Sequence, residues 1–132
     1  MARKRRTGLI FLDTHIVCWL YEGRLELLSA AGRNVIESSP LRLSPMVKLE
    51  LQYLHEIGRI NRVADEVLAV LAREIDLRLN DASFGEIVKC AQTLAWTRDP
   101  FDRLIVAETL VSDGMLVTRD EKIRANSPCA LW

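Results

Sequence analysis

The segments Thr97-Arg98-Asp99-Pro100-Phe101-Asp102-Arg103-Leu104-Ile105 and Leu116-Val117-Thr118-Arg119-Asp120-Glu121 place two acids at the mouth of one helix and a third just beyond the next strand. Two more acids stand upstream in similar settings. Asp13 follows the strand-like Leu9-Ile10-Phe11-Leu12, and Glu50 lies in a helix opening at Ser44-Pro45. Two carboxylates about 4 Å apart repel by roughly 4 kcal/mol at an effective dielectric of 20. Four converging acids are therefore unstable unless they are protonated or neutralised by a cation. Hard oxygen ligands without His or Cys point to magnesium or manganese. Such an ion lowers the pKa of a bound water, orients it, and stabilises charge building on a phosphate. The matching reaction is phosphodiester hydrolysis.

Each acid taken singly also has a plain structural reading. Asp99-Pro100-Phe101-Asp102 is a helix start, with Asp99 as N-cap, Pro100 first and Asp102 third. An acid at either place stabilises a helix by roughly 0.3–1 kcal/mol through the orphan amides and the dipole. Asp13 and Asp120 read equally as turn or cap residues. Glu50 sits among Val47, Leu49, Leu51 and Leu54, where a solvent-facing role explains it less well. The joint pattern favours a site. His15, beside Asp13, is a candidate phosphate contact but reads more readily as a packed or surface histidine, and His55 reads as surface. No Gly-rich phosphate loop, Ser-His-Asp order or HExxH helix is present. An Asp-x-Asp opening also fails, because position 15 is His.

The elements that must position these acids alternate. Strand candidates are Leu9–Leu12, Leu41–Leu43, Ile75–Leu79 and Met115–Thr118, with Cys129–Trp132 as a short edge strand. Helical patterns fall near Thr14–Tyr21, Ser29–Glu37, Pro45–Ile57, Arg62–Arg73, Phe84–Leu94 and Pro100–Ser112. Ile87, Cys90, Ala91 and Leu94 make one half-buried stripe, and Val63, Val67, Val70 and Leu71 another. This alternation predicts an α/β fold with a central parallel sheet of four to five strands covered by helices. Right-handed crossovers would put every strand-to-helix junction at one sheet edge, where ligands bind. Asp13, Glu50, Asp99, Asp102 and Asp120 all lie near such junctions or the turns after them.

Composition bounds the partners. A chain of 132 residues fits a single domain. We expect a flexible basic tail over residues 1–7 and one nuclease-like domain over 8–132. The formal net charge is zero, with 18 basic and 18 acidic residues. Arg3, Lys4, Arg5 and Arg6 hold four of the basic ones, leaving 14 against 18 acidic in the body. A mildly acidic body is unlike a tight, non-specific nucleic-acid binder. Asp13, Thr14 and His15 break the apolar run that would imitate a signal peptide, and no apolar run reaches bilayer-spanning length. Cys18, Cys90 and Cys129 are an odd number at unrelated spacings. They read as buried free thiols of a reducing cytoplasm rather than a metal site.

Leu12-Asp13-Thr14-His15-Ile16-Val17-Cys18-Trp19, Asp99-Pro100-Phe101-Asp102-Arg103-Leu104-Ile105-Val106-Ala107 and Leu116-Val117-Thr118-Arg119-Asp120 resemble, in order and separation, the motifs of PIN-domain ribonucleases. Within that family they are similar to the VapC-type toxins of bacterial toxin–antitoxin pairs, over about residues 8–125. The resemblance implies a magnesium-dependent endoribonuclease, in which manganese substitutes, with a four-acid set at Asp13, Glu50, Asp102 and Asp120. It implies a capping, outer role for Asp99, with second-metal binding as the alternative. Thr14 and Thr118 would position carboxylates or the metal's water. Arg103 and Arg119 would touch phosphate or pair with the acids. A homodimer and a small antitoxin covering the cleft are implied as well. The chain departs at Thr97, where many relatives carry histidine, and around Pro45–Glu50, which is looser than the usual pattern. A PIN-type nuclease acting on DNA or in rRNA processing, and a catalytically silent partner-binding module, are the alternative readings.

Overall fold

The computed structural model describes residues 8–132. The basic stretch at residues 1–7 lies outside them, and so does the expectation placed on it. β1 (Ile10–Leu12) is the middle strand, and all three of its residues are buried. A short, unbroken apolar run of this kind suits a strand covered on both faces. β1 pairs in parallel with β2 (Leu41–Leu43) on one side and β4 (Met115–Val117) on the other, with Ile10 opposite both Leu41 and Met115. β3 (Arg78–Leu79) lies outside β2, and β5 (Ala130–Leu131) outside β4. The resulting parallel sheet has the order β3-β2-β1-β4-β5.

Parallel neighbours need crossovers, and helices supply them here. α1 (Thr14–Tyr21), a 3-10 turn at Leu25–Leu27 and α2 (Ala30–Ser38) join β1 to β2. α3 (Pro45–Glu56) and α4 (Ala64–Ile75) join β2 to β3, and α5 (Phe84–Ala91) and α6 (Pro100–Val111) join β3 to β4. α7 (Glu121–Asn126) joins β4 to β5. Phe11, Leu12, Ile16, Leu43, Leu51 and Ile105 are among the side chains that fill one continuous core around the sheet. Gly114 is needed at the entry to β4: a Cβ there would stand 2.8 Å from the Phe11 ring and 2.9 Å from the Leu9 carbonyl.

The predicted parallel α/β architecture is what forms, and four details differ. Ile75, expected to open a strand, closes α4, and Asp76 stops that helix in the left-handed region at φ 54°. β3 is accordingly only two residues long. Val63 stands exposed at the start of α4, so the buried stripe is Ala64, Val67 and Leu71. α5 ends at Ala91, where Gln92 and Thr93 turn back onto Val88 and Cys90. α7 was not anticipated, because six residues around one buried Ile123 show too little periodicity to read. Of the three free thiols only Cys129 is fully buried. Among the described residues no helix is long and apolar enough to cross a membrane.

Candidate active site

Because every strand points the same way, the starts of α1, α3 and α7 share one edge of the sheet. Asp13 stands at its centre. Its backbone N–H donates to the Val117 carbonyl at 3.1 Å, which continues the β1–β4 ladder by one bond. Asp13 Oδ1 accepts from the Thr14 amide at 2.8 Å and so caps α1. Oδ2 accepts from the Thr118 hydroxyl at 2.6 Å. The same hydroxyl oxygen accepts from the Asp120 amide at 3.1 Å, so Thr118 fixes both the Asp13 carboxylate and the turn that presents Asp120. Asp120 in turn caps α7 by accepting from the Ile123 amide at 2.9 Å.

Glu50 reaches this centre from the second turn of α3, where the Thr14 hydroxyl donates to its Oε1. Burial pushes the Glu50 carboxyl above the ordinary range. The Thr14 hydroxyl pulls it part of the way back, and Asp13 and Asp99 add to the rise. Asp102 is displaced further. Burial is the largest cause, followed by Asp99, Asp13, Asp120 and Glu50, and together they push its carboxyl up to about 7. Interactions of this kind fade with distance. Thr14 and Thr118 tie Asp13 to Glu50 and to the turn that presents Asp120, and Asp102 lies near enough to these acids to feel them.

Asp99 does what its place in the helix start predicts. It is exposed at the N-cap of α6 and accepts from the Phe101 and Asp102 amides at 2.9 and 3.4 Å. The buried Thr97 hydroxyl accepts the Asp99 amide at 3.2 Å, which sets the turn before the cap. Among the described residues neither Arg103 nor Arg119 pairs with an acid. Arg103 donates from Nε and Nη2 to the Ala91 carbonyl at 3.2 and 3.0 Å, tying the end of α5 to α6 rather than pairing with the acids. Arg119 is exposed and reaches the site through its backbone, whose N–H donates to His15 Nε2 at 3.1 Å.

His15 is therefore more than a packed ring. A ring nitrogen that accepts leaves the proton on the other one, Nδ1, which stands 3.6 Å from Asp13 Oδ2. Trp19 braces the ring edge-on at 5.2 Å between centroids. Sequence reasoning also passed over an aromatic pair, Tyr53 and Phe101, with centroids 6.2 Å apart and planes 32° from parallel. Tyr53 follows Glu50 by three residues and Phe101 precedes Asp102. The spacing from known candidate acids was the signal that could have found both rings. A separate cleft between α1, α3 and α4, lined by Cys18, Tyr21, Leu51, Ile60 and Val67, holds none of the four acids.

The donor set is all carboxylate, supported by threonine hydroxyls, and two of its members, Glu50 and Asp102, are pushed toward the neutral form, chiefly by burial and then by neighbouring carboxylates. That chemistry fits a small, hard divalent cation, whose charge would reverse both shifts. Among the described residues no three His, Cys, Asp or Glu side chains are already drawn together as ligands of one ion.

Residues 10–127 match the PIN domain family, and the chain belongs to that family. It is similar to ribonuclease VapC22 of Mycobacterium tuberculosis, with 27% identity over 128 residues, which cover 93% of this chain and 98% of that protein. The fold is shared with a chain of a toxin–antitoxin complex from Klebsiella pneumoniae at a TM-score of 0.67 and 19% identity, over 93% of this chain and 96% of that one. It is shared as well with a chain of VapBC2 from Rickettsia felis bound to a DNA fragment from its promoter. There the TM-score is 0.61 and the identity 19%, over 93% of this chain and 96% of that one.

Proposed function

We propose that this PIN-domain protein is a magnesium-dependent endoribonuclease that hydrolyses RNA phosphodiesters, with Asp13, Glu50, Asp102 and Asp120 as its acid set. The observation that carries the reading is the hydrogen-bonded centre in which Thr14 joins Asp13 to Glu50 and Thr118 joins Asp13 to the Asp120 turn, with the Asp102 carboxyl pushed up to about 7 by burial and the acids near it. When bound, magnesium (or manganese in its place) acidifies a water and offsets the charge building on the scissile phosphate. Asp13 would serve as the fixed ligand, because Thr14 and Thr118 leave its carboxylate one orientation. Asp102, whose carboxyl is raised by burial and by other acids, would join it in the deprotonated form. Glu50 is oriented by Thr14 and raised by burial, which suits it to take a proton from the attacking water. Asp120, held at the start of α7, completes the negative edge.

The similarity to a ribonuclease named VapC22, and to folds solved as toxin–antitoxin complexes, supports a toxin role with a cognate antitoxin as partner. In that setting the protein acts as a homodimer in a reducing cytoplasm. An antitoxin arginine can pair bidentately with the half-buried acids and stand in for the cation's charge.

The test is cleavage of matched single-stranded RNA and DNA oligonucleotides with magnesium, with EDTA, and with Asp102→Asn. The reading predicts magnesium-dependent cuts in RNA that EDTA and the variant abolish. Cleavage of DNA alone would mean a different substrate class. No cleavage of either, together with no manganese binding, would mean a silent binding module.

A further inference from the structure

One buried carboxylate is not part of the acid set. Glu108 lies on α6 and is 2% exposed. Its Oε1 accepts from the Ser44 hydroxyl at 2.8 Å, and its Oε2 accepts from Asn80 Nδ2 at 2.7 Å. Ser44 is the N-cap of α3, its oxygen accepting the Met46 amide at 3.1 Å. Asn80 is held at the end of β3, its amide donating to the Leu43 carbonyl at 2.8 Å, and its side chain also donates to Ser112 at 3.0 Å. One carboxylate thus joins α6, the start of α3 and the end of β3.

The two helices in this junction are those that carry Glu50 and Asp102. Glu50 stands six residues after Ser44, and Asp102 six residues before Glu108, each about 9 Å along its helix at 1.5 Å per residue. α3 and α6 are joined where Ser44 donates to Glu108, and each candidate acid stands within two turns of that bond on its own helix. Paired hydrogen bonds inside a low-dielectric core fix the register of the two helices.

We infer that Glu108 is a positioning residue for the acid cleft: through Ser44 and Asn80 it sets the separation of Glu50 and Asp102. This rests on the proposed nuclease reading. Glu108→Gln keeps an acceptor for Ser44 but turns an amide donor toward the Asn80 amide. Adding Asn80→Asp restores the complementarity with donor and acceptor exchanged. Displacements of about 1 Å at a reacting centre can cost 100-fold, so a smaller shift in Glu108→Gln should lower kcat about tenfold and leave KM within about twofold. The double variant should recover kcat.

Crystal structures of the parent and both variants give a readout separate from activity. The Glu50–Asp102 separation is expected to change in Glu108→Gln and to return in the double variant. If Glu108→Gln does not fold, the double variant should still show the parental separation and kcat. An unchanged separation and kcat in folded Glu108→Gln would overturn the inference. So would a double variant that regains thermal stability but not the separation. If the parent cleaves no RNA, the function reading fails, and the measured separations still decide the role of Glu108.

Discussion

Asp102 and Glu108 sit on the same helix, six residues apart, in opposite circumstances. Glu108 is sealed in the core and meets donors, Ser44 on one oxygen and Asn80 on the other. Asp102 is half-buried and meets other acids, and its carboxyl is pushed to about 7. A buried carboxylate with its own donors is complete as it stands and needs nothing from solution. One that faces Asp99, Asp13, Asp120 and Glu50 is completed only by a proton or a cation. The contrast separates an acid that builds the fold from an acid that the fold holds ready for a ligand.

Breaking the two should therefore have opposite consequences. Asp102→Asn or Asp13→Asn should lower RNA cleavage by at least ~10³-fold, the scale of losing a group that acts in the transition state. With EDTA present, the melting temperature of Asp102→Asn should hold or rise, since the change relieves repulsion. Parental cleavage by either purified variant would remove it from the acid set. Glu108→Ala should act the other way. It strands the buried Ser44 hydroxyl, which costs about 1–3 kcal/mol, while Asn80 keeps its bond to Ser112, so urea unfolding should show a clear loss of stability. A neutral Glu108→Ala would mean that solvent or neighbours replace the junction.

The pH dependence sharpens the same contrast. The Asp102 carboxyl has an ordinary value of 3.8 and titrates at about 7 in the folded chain, so between these the folded state holds a proton that the unfolded state has released. Stability in EDTA must then fall as pH rises through this window and level off above it. Asp102→Asn should flatten that fall, as thermal melts across the range would show. Magnesium must displace the proton, so its affinity should climb by up to about tenfold per pH unit below 7 and then flatten. Calorimetric titrations with magnesium check this, and a flat affinity from pH 5 to 8 would contradict a role for Asp102 as ligand.

The smallest effect belongs to Asp99, whose carboxylate caps α6. Asp99→Ala should cost about 1 kcal/mol of stability, and Asp99→Ser should largely restore it. If serine restores stability but not cleavage, Asp99 works on the cation or substrate as well as on the helix.

The shared placement of Asp13, Glu50 and Asp120 was legible because strand-to-helix junctions of a parallel sheet share one edge. The cap at Asp99 was legible from Pro100 after it. Glu108 was not, because residues 105–109 of α6 are all buried and the helix shows no polar face against which a misplaced charge would stand out. Its donors also lie 64 and 28 residues away, beyond any local pattern. The bond from Arg103 to the Ala91 carbonyl was not legible, because one step along a helix from Asp102 turns a side chain by about 100°, here toward α5. His15 could not be settled from sequence, since its Arg119 partner is 104 residues away and is delivered by β4.

The central claim, that the four acids gather one hard cation for phosphodiester hydrolysis, is tested most directly by anomalous diffraction from crystals soaked in manganese. A peak ligated by Asp13 and Asp102, with Glu50 and Asp120 around it, and absent from Asp102→Asn crystals, is the predicted result. A manganese site elsewhere, or one that persists unchanged in Asp102→Asn, would contradict it.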